Sequence, residues 1–173
     1  MSKVFESPRV LFVCTKFGGR SVLAAHLCNQ LSPWGKIAVA ASFEPGLLEQ
    51  GYFRLLNSLG YPIPAEQPPS LFDRFSAGET FDVVIEMCSV ESGENCPILH
   101  LSVVELYRGA SVIENWSLPD LSRILAAKGN PGQVRARFAL AAEELESRMK
   151  EFVARLARGN GTSPRSAAVS HRP

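Results

Sequence analysis

Residues 10 to 14, VLFVC, are an unbroken apolar run of β-branched, aromatic and aliphatic side chains that gives way to a glycine pair at 18 and 19. Such a run predicts a strand buried on both faces, as in a parallel sheet. From Ser21 to Leu31, Val22, Leu23, Leu27 and Leu31 fall close to helical spacing, and SPWG at 32–35 ends the pattern. KIAVAA at 36–41 predicts a second strand. Residues 47–59 carry Leu47, Leu48, Tyr52, Leu55, Leu56 and Leu59 at helix-like intervals, with Gly60 as a C-terminal stop. FDVVIEM at 81–87 predicts a third strand that runs into Cys88, and ASVIENW at 110–116 a fourth. The most regular element is the last: Val134, Phe138, Ala141, Leu145, Met149, Phe152 and Leu156 repeat every three or four residues, with Asn130 and Pro131 at the N-terminal boundary.

This alternation predicts an α/β fold of three layers, a four-stranded parallel sheet with helices on both faces. Ligands of such sheets gather at the carboxyl ends of the strands, where Cys14 and Cys88 both fall. A chain of 173 residues suits one domain, here residues 1–158. GNGTSPRSAAVSHRP at 159–173 is rich in turn formers and poor in large apolar residues, and is expected to be a disordered tail.

Charge narrows the function. The 18 basic and 17 acidic residues nearly cancel, and no basic block is long enough to follow a phosphate backbone or an anionic bilayer. Neither nucleic acid nor membrane is an expected partner. No apolar run approaches the roughly 20 residues of a membrane span, and MSKVFESPR lacks a signal-peptide core, so a cytoplasmic location is expected. In that reducing compartment the cysteines at 14, 28, 88 and 96 stay as thiols unless they are catalytic or redox-active. Cys28, at an apolar-compatible helix position, is expected in the core. His26 and His100 lack metal-ligand spacing and read as surface or capping residues, and Trp34 and Trp116 as packing residues. No cofactor or metal is implied.

The candidate chemistry lies between Cys14 and Arg20. A loop from a strand into a helix presents free N–H groups and the positive end of the helix dipole, which suits an oxyanion. Thr15, Lys16, Phe17, Gly18, Gly19 and Arg20 would form the cradle, with the glycines letting the backbone close in and Arg20 holding two oxygens in a planar fork. Ser21 is placed to donate to the Cys14 sulfur, and the same field is expected to lower the thiol pKa and ready a nucleophile. The same residues also fit a strand-end core thiol beside a solvated first-turn arginine.

VLFVCTKFGGRS resembles the signature loop of the low-molecular-weight protein tyrosine phosphatase superfamily, which forms a cysteinyl-phosphate intermediate, and similarity of order runs from about residue 9 to 157. Phe17 stands where that family commonly has Asn, and Gly19 where it often has a second Cys. FDVVIEMCSVESGENCPIL narrows the resemblance to the thioredoxin-coupled arsenate reductases, in which a strand ends in one cysteine and a second precedes Pro-Ile-Leu. Seven residues separate Cys88 from Cys96, against the usual six. The resemblance implies that arsenate binds the cradle and is attacked by Cys14. Cys88 and then Cys96 follow, leaving a Cys88–Cys96 disulfide for thioredoxin to reduce, and arsenic resistance would be the role. A straight helix over 88–96 would hold the two Cα atoms roughly 12 Å apart, beyond the roughly 7 Å a disulfide tolerates. The segment must therefore bend, with Ser92, Gly93 and Asn95 as its hinge.

Asp120, in NWSLPDLS, sits where the superfamily's general acid is expected; Ser117 with Asp120 equally forms an S-x-x-D helix cap. Two other functions fit the residues: a phosphatase of phosphotyrosine or small phosphoesters using Cys14, Arg20 and Asp120, and an oxyanion-binding module weakened in catalysis by Phe17 and the glycine pair.

Overall fold

The computed structural model describes residues 7–16, 19–44 and 46–159. Four strands, β1 (Val10–Lys16), β2 (Ala38–Glu44), β3 (Val83–Met87) and β4 (Val112–Asn115), form one parallel sheet in the order β2-β1-β3-β4. The helices are α1 (Gly19–Leu31), α2 (Gln50–Ser58), α3 (Leu71–Ser76), α4 (Cys96–Leu106), α5 (Leu121–Ala126) and α6 (Pro131–Ala157), and a single 3-10 turn spans Val90–Ser92. The expected three-layer α/β architecture is the one observed.

The alternation of side chains along a strand divides the core in two. Val10, Phe12 and Cys14 of β1, with Val83, Ile85 and Met87 of β3, pack under α1, α2, α5 and α6. Leu11, Val13 and Val84 face the other way, together with Cys88, under α3 and α4. Because β1 and β3 are central, both their faces are buried, which is why their sequences read as continuous apolar runs. Phe12 makes edge-on contacts with Trp116 at 5.9 Å and Phe152 at 6.0 Å between ring centroids, fastening α6 across the first face. α6 begins as expected, with Asn130 capping through an N–H of Gly132 at 2.8 Å and Pro131 in the first turn.

Several boundaries move for local reasons. The second strand was expected at 36–41 but runs over Ala38–Glu44. Pairing with β1 extends it from Val10↔Ala38 to Lys16↔Glu44, while Asn29 of α1 binds the backbone of Ile37 and Ala38. The helix expected over 47–59 starts only at Gln50, because both backbone polar groups of Leu48 are bound by the Gln67 side chain, at 2.8 and 3.2 Å. Leu47 is consequently solvent-exposed rather than on a buried helix face. Gly60 ends the element with a φ of 91°, a conformation glycine adopts without strain. Helices α3 and α4 were not anticipated, and α5 was signalled only by the S-x-x-D cap; α3 and α5 have six residues each, too few for a periodic signal. α3 is set by a reciprocal capping box between Ser70 and Asp73, and the preceding chain hydrogen-bonds to β2 through Pro69, covering that sheet edge. Apart from Gly159, the expected tail lies outside the described residues. Among the described residues no helix is long and apolar enough to cross a membrane.

Replacing Ser70 with Ala removes the acceptor for the Asp73 N–H, and the expected cost is about 1 kcal/mol of stability, measured as a lowered urea midpoint with unchanged m value.

Candidate active site

The loops after β1, β3 and β4 converge at the carboxyl end of the sheet. β1 ends just beyond Cys14, whose thiol is fully buried. Two residues of the intervening loop, Phe17 and Gly18, are outside the described residues, so their expected part in the cradle carries no structural account. Beyond them α1 starts at Gly19, and its first turn brings the Ser21 N–H to 3.1 Å from the Cys14 sulfur. The Ser21 hydroxyl donates to the Ala41 carbonyl at 3.0 Å and also lies close enough to favour the thiolate.

Arg20 is not a solvated first-turn residue. Its side chain is 2% exposed, and its guanidinium donates to the Leu118 carbonyl at 2.9 Å. The remaining fork is filled by Glu94, with Nη1 to Oε2 at 3.0 Å and Nη2 to Oε1 at 2.5 Å. Thr15 donates its hydroxyl to the same carboxylate, and the Ser89 N–H reaches it at 2.7 Å. A planar anion, covalently part of the chain, thus sits in the place proposed for a substrate oxyanion. Lys16, by contrast, turns outward to the exposed Glu44 at 3.6 Å.

The expectation of a lowered Cys14 pKa is reversed. Burial raises the thiol; the Arg20 charge and the Ser21 hydrogen bonds pull it down without overcoming that cost. Arg20's charge is already shared with Glu94. For Glu94, burial pushes the carboxyl up, but hydrogen bonds from Arg20 and Thr15, the Arg20 charge and the Ser89 N–H more than offset it and hold the group below the usual carboxylate range.

Position 19 is packed on both sides. The Tyr52 hydroxyl donates to the Gly19 carbonyl at 2.6 Å, and a Cβ on Gly19 would come within 2.8 Å of Ser122 Oγ and 3.2 Å of the Tyr52 ring. Glycine there answers a steric limit of this chain's own making. Asp120 is the N-cap residue of α5 and accepts from the Ser122 N–H at 3.0 Å; the cap expected to start at Ser117 is therefore displaced by three residues. Asp120 also lines a cleft of about 400 Å³ with Thr15, Lys16, Glu94 and Arg123. Cap and candidate acid coexist in one side chain.

Cys88 and Cys96 are joined as a disulfide, their Cα atoms 5.7 Å apart. The segment between them is a 3-10 turn ending at Gly93, whose φ is 71°, and α4 then begins at Cys96 with Asn95 as its N-cap. The bend expected at Ser92, Gly93 and Asn95 is present. Arg123 of α5 binds the Ser92 carbonyl and holds this loop against the cleft. Cys28 is a core thiol, burial pushing its pKa up to about 12. His100 is exposed as expected, and His26 is half-buried. His100 pairs through Nδ1 with the buried Glu86 at 2.9 Å, and His26 Nε2 is buried with no hydrogen-bond partner among the described residues. Among the described residues no group of three His, Cys, Asp or Glu side chains is arranged to hold a metal. Sequence reasoning missed Glu94 and Tyr52. Glu94 had one signal, a charged residue beside Cys96 in the loop assigned to the relay.

No protein-family model and no curated protein matches the chain. Solved structures do. An arsenate reductase from Archaeoglobus fulgidus is 23% identical, with a TM-score of 0.54 over 84% of this chain and 99% of that one. A low-molecular-weight protein tyrosine phosphatase from T. tengcongensis is 22% identical, with a TM-score of 0.55 over 86% and 99%. A thioredoxin-dependent arsenate reductase from Corynebacterium glutamicum is 21% identical, with a TM-score of 0.51 over 86% of this chain and 61% of that one. The fold is that of the low-molecular-weight phosphatases.

Because the Glu94 carboxyl is depressed in the folded state, its stabilising effect is complete above the ordinary carboxylate pKa and is lost as pH falls through the lower, folded value. Glu94→Gln should therefore be less stable than the wild type by about 2 kcal/mol at pH 7. Urea titrations across a pH series should show this difference shrinking below about pH 4.

Proposed function

We propose that this protein reduces arsenate to arsenite through three thiols, with thioredoxin as the dithiol that restores them. The observation that carries the reading is the Cys88–Cys96 bridge on the loop that reaches Arg20, in a fold shared with arsenate reductases. A phosphatase of this fold has no need of such a bridge.

In the proposed cycle Cys14 attacks arsenic and an oxygen leaves as water, Asp120 supplying its proton from the cleft wall. Arg20 holds two of the remaining oxygens in its fork, and Thr15 and Ser21 add hydrogen bonds. Cys88 then attacks the Cys14 sulfur. The sulfur–arsenic bond breaks, its electron pair stays on arsenic, As(V) becomes As(III), and arsenite departs from a Cys14–Cys88 disulfide. Cys96 attacks Cys88, expelling the Cys14 thiolate and forming the Cys88–Cys96 bridge. Thioredoxin supplies two electrons and two protons. A reducing cytoplasm suits this chemistry, and arsenic resistance would be the physiological role.

The strand register sets a condition on the second step. Cys14 lies opposite Met87 and shares its face of the sheet, so Cys88, the next residue, packs on the other face. Cys88 must swing around the end of β3 to reach Cys14. It is free to do so once the bridge is reduced, because β3 and its ladder end at Met87.

The competing reading, a phosphatase, is favoured by Asp120 lining the cleft and by the likeness to the T. tengcongensis enzyme. Cys14→Ser should abolish turnover in either case. Cys96→Ser separates them: in the relay one equivalent of arsenite is released and mass mapping finds a Cys14–Cys88 bridge, with no further cycling on thioredoxin. An aryl phosphatase would lose almost nothing. Absence of arsenite release by the wild type overturns the reductase reading.

A further inference from the structure

Glu94 sits two residues before Cys96, on the nine-residue ring closed by the disulfide. Within that ring the chain folds on itself, the Gly93 N–H bonding to the Val90 carbonyl at 2.9 Å and the Ser92 N–H to that of Ser89 at 3.1 Å. The left-handed conformation of Gly93 sends the next residue back toward the sheet. The Glu94 side chain consequently enters the protein, 6% exposed, and takes both nitrogens of the Arg20 fork while Ser89 of its own ring and Thr15 of β1 complete its hydrogen bonds. Neither Cys14 nor Arg20 lines the cleft; Glu94 does.

Resting on the oxyanion reading above, we infer that Glu94 is a tethered competitor of the substrate, docked in the Arg20 fork while Cys88 and Cys96 are bridged and withdrawn when the bridge opens. Two properties support this. A bidentate carboxylate on a buried guanidinium leaves no free fork for a tetrahedral anion, since both terminal nitrogens are engaged and one also serves Leu118. In addition, a short covalent tether gives the carboxylate an effective concentration on the order of millimolar or more, so phosphate has to compete with it and its apparent affinity falls. Reduction by a dithiol, which contributes two electrons and two protons, opens the ring and removes the constraint that presents Glu94 to Arg20. The oxidised enzyme is thereby closed to arsenate and to the abundant look-alike phosphate while it waits for its reductant. Reduced enzyme regains its anion site at the moment its nucleophiles return.

The test is inorganic phosphate titrated calorimetrically into the full chain, once as the Cys88–Cys96 disulfide and once after dithiothreitol, with the thiol state checked by mass. Phosphate should bind the disulfide form about tenfold or more weakly than the reduced form. Glu94→Gln and Glu94→Ala should each erase most of that difference by tightening binding to the disulfide form. Equal affinity in the two wild-type forms overturns the inference, and this comparison requires no variant to fold. A wild-type difference that persists in both variants overturns it too, since the loop rather than the carboxylate would then exclude phosphate. If reduced wild type binds neither phosphate nor arsenate, the oxyanion reading fails and the competitor falls with it. A failure of arsenate turnover alone, with the redox-dependent phosphate affinity intact, removes only the reductase assignment.

Discussion

A guanidinium with almost no solvent contact must be answered by anions and carbonyls, because burying an unpaired charge costs several kcal/mol. Arg20 meets this constraint with partners from two other loops, and Thr15 binds the same carboxylate. Thr15 and Arg20 itself flank the turn after β1, Glu94 comes from the loop after β3, and the Leu118 carbonyl from the chain after β4. One charge therefore ties together the carboxyl ends of three strands. Its desolvation makes this arrangement discriminating, since any group that replaces Glu94 has to supply a comparable negative charge in a comparable plane.

The strand order places that charge at the centre. With β1 and β3 adjacent, their terminal loops face one another, and Cys14 lies level with Met87, one residue short of Cys88. The pleat then separates the two thiols onto opposite faces, each within a different half of the core. The proposed relay between them would need strand-end rotation rather than long-range motion. Burial of Cys14 has a similar double character: the field of Arg20 favours the thiolate, desolvation opposes it, and with Glu94 in place desolvation prevails. In the proposed cycle, exchange of Glu94 for a substrate anion would be the step at which this balance changes.

On the proposed reading, disulfide and anion site would also be linked thermodynamically. If closing the ring favours Glu94 in the fork, then an oxyanion in the fork must favour the open ring by the same factor. The anchors of α4 limit how far that exchange spreads: Leu99 and Val103 are buried against the sheet, and His100 pairs with Glu86. On that reading the exchange would fall within Cys88–Cys96, between the end of β3 and the anchored body of α4.

Periodicity alone determined the four strands, their parallel arrangement, α1 and α6, because a doubly buried strand and a long amphipathic helix each repeat a burial pattern over enough residues to be read. Local chemistry also marked Cys14, Arg20 and Cys88, since strand-end position is a property of the chain itself, while Cys96 and Asp120 were marked by the resemblance to a known family. The tertiary structure decided what no spacing encodes. Gln67 unwinds the start of the second helix from 19 residues away, and Asp120 proves to be a cap in its own right. Arg20 is buried because distant loops close over it. Glu94 is drawn into its fork across 74 residues of sequence, and the thiol pKa follows from the burial that results. Charges and thiols are local in sequence, but desolvation and pairing are set by whatever the fold brings against them.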